Sequence, residues 1–165
     1  MGAGKSTVGR RCAQRLGRSF VDTDDLVEIA AGATVAEVFA RDGEAVFREF
    51  ERLAIADACA APEPIVIAAG GGAVLDPENR KRLREAGLVV WLRAPAAQLA
   101  QRVGDTSSRP LLRGDAAATL ARLEGVRRPA YEAAAHATVD TDGLSVATVV
   151  DAVLAAFAAT EERVP

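Results

Sequence analysis

A glycine-rich loop with the sequence GAGKST occupies residues 2–7, directly before an apolar pattern of helical spacing. The pattern predicts a helix over 5–16. Gly4, Lys5 and Ser6 match the end of G-x-x-x-x-G-K-[ST], in which backbone amides surround a triphosphate. The unpaired N–H groups and the dipole of a helix N-terminus favour a bound phosphate by up to about 2 kcal/mol. The alternative is a glycine turn that Ser6 caps.

In this pattern Lys5 reaches the β- and γ-phosphates, and Ser6 places its hydroxyl on Mg²⁺. The pattern is incomplete, because its first glycine and the strand before it would precede Met1. We therefore expect the codons upstream of Met1 to encode a short β-branched strand that ends in glycine and one further residue. The loop residues predicted to contact the nucleotide are Gly2, Ala3, Gly4, Lys5, Ser6 and Thr7.

Strand and helix patterns alternate along the rest of the chain. Runs of β-branched or apolar residues predict strands over 19–21, 65–68, 88–93 and 137–141, with helical patterns between them. Strands that are too apolar to face water, and that helices separate, indicate a parallel sheet covered on both faces. The sequence thus predicts one α/β domain over 1–165.

The composition argues against several classes of function. The net charge of −3 gives no reason to expect a nucleic-acid partner. The single histidine, His136, excludes a cluster of histidine metal ligands. Cys12 and Cys59 lie in helical patterns, which favours apolar packing over a disulfide or a metal pair. Since no apolar run approaches the ~20 residues that span a bilayer and no secretory signal is visible, we expect a cytoplasmic protein without membrane contact.

Carboxylates and glycines follow two of the predicted strands, at the sheet edge where open α/β sheets bind ligands. Asp22 and Asp24 alternate after the first strand, so one can face a metal and the other a substrate. Alternatively, they only cap the next helix. Gly70, Gly71 and Gly72 follow the second strand. Glycine permits a ligand to approach the backbone closely and allows positive φ, although a flexible turn would also explain the triplet.

Three arginines, Arg48, Arg109 and Arg127, are candidates for contacts with anionic ligands. Each is a weak signal by itself, because a solvated arginine would look the same in the sequence. Arg48 could instead pair with Glu44 or Glu51 on its own helix, a contact worth about 0.2–0.5 kcal/mol.

The ordered set GAGKST, DTD, FREFE, GGGAV, RPLL and RRPAY resembles the shikimate kinases, which belong to the nucleoside-monophosphate-kinase-like P-loop proteins. The resemblance spans nearly the whole chain, and the ordered set is far more specific than GAGKST alone. It implies a P-loop three-layer α/β/α fold with a five-stranded parallel sheet, whose first strand is missing here, and a short mobile lid over about 104–116. It also implies a monomer that uses ATP and Mg²⁺ to phosphorylate the 3-hydroxyl of shikimate, on the route to aromatic amino acids.

The resemblance further implies a role for each candidate residue. Asp22 lies near the metal through water, and Asp24 contacts the substrate hydroxyls as the candidate base. Arg48 and Arg127 hold the shikimate carboxylate, which suits the bidentate guanidinium fork. The remaining implied roles are backbone contacts to the substrate from Gly70, Gly71 and Gly72, stacking of Arg102 on adenine, closure of the lid residue Arg109 over the γ-phosphate, and a catalytic set of Lys5, Asp24 and Arg109.

One departure from the family pattern affects the nucleotide side. Residues 140–145, after the last predicted strand, carry no arginine or proline where some members have them, so the adenine contacts there stay open. Two alternatives also stay open. The chain could be a related small-molecule kinase of the gluconate kinase type, or a nucleotide- or shikimate-binding module that has lost catalysis with its first strand.

Overall fold

A computed structural model describes residues 2–103 and 116–161 of the chain. The described part contains eight helices and four strands, with a 3₁₀ turn at Ala73–Leu75. All but the last residue of the predicted lid, 104–116, lies outside it, and so does Arg109. The helices are α1 (Lys5–Leu16), α2 (Thr23–Ala31), α3 (Val35–Arg41), α4 (Gly43–Cys59), α5 (Pro77–Ala86), α6 (Ala96–Val103), α7 (Ala116–Ala134) and α8 (Val146–Glu161), and the strands are β1 (Ser19–Asp22), β2 (Ile65–Ala68), β3 (Val90–Arg93) and β4 (Ala137–Asp140).

Helix α1 begins at the glycine loop, as the sequence predicts. Gly4 takes the left-handed conformation with φ 83°, which glycine adopts without steric cost, and its carbonyl accepts the first helical bond from Val8 N at 2.8 Å. Val8 and Cys12 on the inner face of α1 are 5% and 3% exposed, and they pack in one cluster with Val150 of α8. The apolar stripe therefore fixes the helix against the body of the protein, and its N-terminus carries the loop.

Helix α4 carries a charge on its buried face. Phe47, Ala54, Ile55 and Ala58 recur at helical spacing and are buried, and Glu51 lies among them at 2% exposure. A buried carboxylate is costly unless it is paired. Its partner belongs to the candidate site described below.

The four strands form two parallel pairs, which confirms the predicted parallel pairing. In one pair Ser19 of β1 lies opposite Ile65 of β2, and in the other Val90 of β3 lies opposite Ala137 of β4. Among the described residues, no hydrogen bond joins one pair to the other. The predicted strand bounds agree for β2, whereas β1 extends one residue further, to Asp22.

A cleft of about 260 Å³ lies between the two pairs, with an apolar lining drawn mostly from β2, β3, α1 and α7. A fifth strand, which the family resemblance implies, stays a prediction. The apolar lining includes Val66, Ile67 and Ala68 of β2, Val90, Trp91 and Leu92 of β3, Val8 and Cys12 of α1, and Leu120 and Tyr131 of α7.

Cys12 and Cys59 form no disulfide; Cys12 is buried and Cys59 half-buried. Across 2–103 and 116–161, no group of three or more His, Cys, Asp or Glu residues is placed to hold a metal ion. Within the same ranges, no helix has the length and apolar character that crossing a membrane requires.

An extended strand placed in this cleft should stabilise the fold, because the inner edges of β2 and β3 would gain hydrogen-bond partners. We expect a chain lengthened at its N-terminus by about four β-branched residues, a glycine and one further residue to unfold at a higher temperature than the chain as printed. Differential scanning calorimetry would measure the change. A chain with a glycine-serine extension of equal length is the control, and equal midpoints for the two extended chains would contradict the prediction.

Candidate functional site

The N-terminus of α1 faces the end of β1. Ser6 Oγ donates a hydrogen bond to Asp22 Oδ2 at 2.6 Å, so the two residues predicted near the metal lie side by side. Asp22 also caps α2, because its Oδ1 accepts from Asp24 N at 3.2 Å. Asp22 therefore caps the helix, but not only that, since its other carboxylate oxygen is directed at the loop.

Asp24 lies in the first turn of α2, on the wall of a cavity and accessible to solvent. Its pKa is raised above the ordinary aspartate value, first because protein atoms around the cavity replace part of its water shell, and then because Asp22 lies nearby. The ammonium group of Lys5 opposes this rise. A carboxylate whose charged form is disfavoured is a stronger base than an ordinary aspartate, and the positive charge of Lys5 keeps it within reach of ionisation.

Arg48 on α4 is held between two glutamates. Its Nη1 donates to Glu51 Oε2 at 2.7 Å and its Nη2 donates to Glu44 Oε1 at 2.9 Å. The pairing on its own helix that the sequence left open is thus present. Glu44 is exposed and Glu51 is buried, so the two bonds differ in how easily a ligand could replace them. Burial raises the pKa of Glu51, and the Arg48 guanidinium opposes the rise.

The glycine triplet after β2 packs directly against this ion pair. A Cβ atom on Gly70 would stand 2.7 Å from Glu51 Oε1, and one on Gly72 would stand 2.7 Å from Arg48 Cζ. Neither glycine has positive φ, so space rather than backbone conformation requires glycine at both positions. Gly70 N donates to the buried hydroxyl of Thr23 at 2.9 Å, which holds the triplet in place and argues against a merely flexible turn.

Arg127 reaches the same loop from α7. Its side chain is 6% exposed, and its Nη1 donates to Gly71 O at 3.3 Å. The Nε atom is buried and has no hydrogen-bond partner in the described part of the chain. Arg127 is therefore not the solvated arginine of the alternative interpretation, and it retains a donor for a further group.

Arg102 at the end of α6 contacts the segment after β4. Its guanidinium donates to Thr141 Oγ1 at 3.0 Å and to Thr141 O at 2.8 Å. These bonds hold Arg102 beside residues 140–145, the segment that departs from the family pattern. Its predicted stacking on adenine stays a prediction.

A cavity of about 570 Å³ brings these residues together, which is ample for small-molecule ligands. Ala3 is the exception among the described candidates, because it lines the apolar cleft instead. The predicted residues that line the cavity are Gly2, Gly4, Lys5, Ser6, Thr7, Asp22, Asp24, Arg48, Gly70, Gly71, Gly72, Arg102 and Arg127.

Two further residues of the site are missing from the sequence-based assignment of functions. The sequence suggests Glu51 only as a partner of Arg48 on the helix surface, yet its place on the apolar stripe of α4 is a sign of burial. Tyr131 donates from its hydroxyl to Gly71 O at 2.6 Å. No sequence pattern predicts that contact, because the two residues come from distant parts of the chain.

The described fold and site define the class of protein. A glycine loop at a helix N-terminus, parallel strands and a cavity at their carboxyl ends are typical of P-loop phosphotransferases. A family model described as shikimate kinase matches residues 1–158. The chain belongs to the shikimate kinase family, which confirms the resemblance, and it is an ATP-dependent phosphotransferase.

Curated relatives and solved structures agree with this assignment. The chain is 50% identical over 153 residues to a shikimate kinase of Symbiobacterium thermophilum, covering 91% of this chain and 87% of that one. It is 48% identical over 151 residues to a shikimate kinase of Paramagnetospirillum magneticum, covering 91% and 77%. The structure of a shikimate kinase from Acinetobacter baumannii in complex with shikimate matches with a TM-score of 0.92 and 34% identity, covering 100% and 91%. The three-layer P-loop fold is thereby confirmed.

A gluconokinase from Sinorhizobium meliloti also shares the fold, with a TM-score of 0.63 and 23% identity. At that identity the likeness concerns the fold alone. The gluconate kinase alternative therefore has no support from the comparisons beyond the architecture that both families share.

We predict that Gly72→Ala weakens shikimate binding. The new methyl group would displace the Arg48 guanidinium, which is the far end of a flexible side chain. We expect the KM for shikimate to rise about tenfold, equivalent to about 1.4 kcal/mol, while the KM for ATP stays the same in steady-state assays.

The matched control is Gly125→Ala in α7, where an added Cβ meets nothing within 4 Å. This variant should keep both KM values. A Gly72→Ala enzyme with the wild-type KM for shikimate would show that Arg48 takes no part in binding it.

Proposed function

We propose that this chain transfers the γ-phosphate of ATP to the 3-hydroxyl of shikimate, giving shikimate 3-phosphate and ADP. The observation that carries the proposal is the single cavity in which the phosphate loop of α1 faces Asp24, Arg48 and Arg127. Membership of the shikimate kinase family supports the same substrate. The reaction needs a triphosphate site and an acceptor site within reach of each other, and the cavity has residues suited to both.

On the nucleotide side, the amides at the start of α1 and the Lys5 ammonium would hold the β- and γ-phosphates. Ser6 and Asp22 offer a hydroxyl and a carboxylate oxygen 2.6 Å apart, a donor set that fits Mg²⁺, which favours oxygen ligands and keeps several waters. When bound, Mg²⁺ would neutralise charge that develops on the phosphate oxygens. Arg102, anchored on Thr141, borders the cavity where adenine would lie.

On the acceptor side, Asp24 is the proposed base for the attacking hydroxyl. Its raised pKa and its place near Lys5 support that role. Arg48 and Arg127 are the residues proposed to bind the shikimate carboxylate. Arg127 lines the cavity, and within the described ranges its buried Nε has no hydrogen-bond partner, which supports its assignment to an anionic ligand. Gly70, Gly71 and Gly72 would contact the substrate through their backbone.

The other parts of the proposal rest on the sequence. They are a single domain over 1–165, a lid over 104–116 with Arg109 closing on the γ-phosphate, and a monomer that works in the cytoplasm without nucleic-acid or membrane partners.

A coupled assay of ADP release tests the proposed function. We expect turnover with shikimate and none with gluconate, on the chain as printed or on the chain lengthened upstream by about ten residues. Phosphorylation of gluconate but not shikimate would establish the other kinase. Binding of ATP and shikimate by calorimetry without turnover, in both chains, would establish a binding module.

We predict that Asp24→Asn lowers kcat by at least about 100-fold while the Kd for ATP changes little. The amide cannot take the proton of the attacking hydroxyl, and general-base catalysis contributes roughly 10²–10⁴-fold. Single-turnover kinetics and calorimetry would measure the two effects. Asp25→Asn, next along α2 and facing Arg10, is the control, and unchanged turnover in Asp24→Asn would remove Asp24 from the mechanism.

The pH profile should identify the same group. A base acts in its ionised form, so activity is present above the pKa of Asp24 and is lost as the pH falls through it. Because that pKa is raised, we expect the acid limb of kcat/KM for shikimate to lie above the ordinary aspartate value of about 3.9. The residual activity of Asp24→Asn should lack this limb. An identical limb in the variant would assign it to another group.

A further inference from the structure

Two donors of α7 converge on one backbone carbonyl of the glycine triplet. Tyr131 Oη donates to Gly71 O at 2.6 Å, and Arg127 Nη1 donates to the same oxygen at 3.3 Å. The two residues are four apart on the helix, so they project from the same face. The tyrosine bond is short and the arginine bond is at the long limit, which indicates that Tyr131 is the main partner of the carbonyl.

Tyr131 is itself held rigidly. Its ring stacks on Trp91 of β3, with centroids 5.2 Å apart and planes 15° apart. Burial raises the pKa of the Tyr131 hydroxyl above its ordinary value, so the group keeps its proton at neutral pH and remains a donor. The strand β3 thus fixes the ring, and the ring fixes the carbonyl.

The triplet is held from its other side as well. Gly70 N donates to Thr23 Oγ1, and Thr23 is fully buried at the start of α2. The loop is therefore clamped between α2 and α7. Arg127 contributes little to this clamp, since its single bond to the loop is long and its Nε has no partner in the described ranges.

We propose that Tyr131 is a positioning residue, which holds the Gly71 carbonyl so that the glycine triplet stays in place while the Arg127 guanidinium turns to the substrate carboxylate. The inference deepens the proposed function and rests on it. Without the hydroxyl, Arg127 would be the remaining donor to the carbonyl. Arg127 would then have to divide its N–H groups between the loop and the substrate.

Tyr131→Phe tests this role, because phenylalanine keeps the ring on Trp91 and removes the hydroxyl, with its bond to Gly71 O and its contact with Arg127. We expect the KM for shikimate to rise about three- to tenfold, the effect of one lost hydrogen bond, with kcat and the KM for ATP within about twofold of wild type. A general loss of structure would instead raise the KM values for shikimate and ATP by the same factor. Val150→Ala in α8, which removes two buried methyl groups away from the loop, controls for lowered stability.

Two measurements without turnover complete the test. Trp91 is the only tryptophan in the sequence, so its fluorescence during a shikimate titration reports the stacked pair directly. The Kd should rise by the same factor as the KM. Hydrogen exchange of the free enzyme should become faster in the segment 70–75 of Tyr131→Phe, while Val150→Ala leaves that segment unchanged.

The outcomes separate this inference from the proposed function. If the wild-type chain phosphorylates shikimate but Tyr131→Phe leaves its KM unchanged, or changes both KM values equally, the positioning role is wrong. If neither the wild-type chain nor its lengthened form phosphorylates shikimate, the proposed function fails, and hydrogen exchange then tests whether Tyr131 holds the loop. Faster exchange at 70–75 would then support the clamp, and unchanged exchange would overturn it.

Discussion

The ion pair between half-buried Arg48 and buried Glu51 is the interaction on which the acceptor half of the site depends. Glu51 lies on the apolar face of α4, and removing one partner of such a pair costs about 3–5 kcal/mol because the other charge stays buried alone. The pair occupies the space beside the loop after β2, so positions 70 and 72 have no room for a side chain. The glycine triplet is thus a consequence of where α4 places its charges.

Much of the fold could be predicted from local signals in the sequence. The helix after the phosphate loop, the parallel pairing and the bounds of β2 follow from apolar periodicity and from the order of elements. The division of the sheet into two pairs required the structure, since it depends on which edges meet in space. Most of the cavity-lining candidates were also predictable, because their order along the chain resembles one family.

The contacts that organise the site were not predictable in the same way. Glu51 gave a partial signal, as a charge on an apolar stripe, but a sequence cannot tell a buried ion pair from a solvated one. Tyr131 gave none, because its contact joins residues that are 60 apart in the sequence. The glycines were recognised as special for a close approach, whereas the group that approaches them closely in the structure is the protein's own ion pair.

The two parallel strand pairs also bear on how quickly the protein folds. Parallel strands cannot be joined by a tight turn, so in each pair a long crossover must close before any hydrogen bond forms between the strands. Closing such a crossover lowers the chain entropy before any strand contact contributes favourable energy. This order slows folding relative to helical bundles of similar size. The helices can therefore form early, and the edge that carries Asp22 and the glycine triplet becomes complete only when the crossover from β1 to β2 has closed.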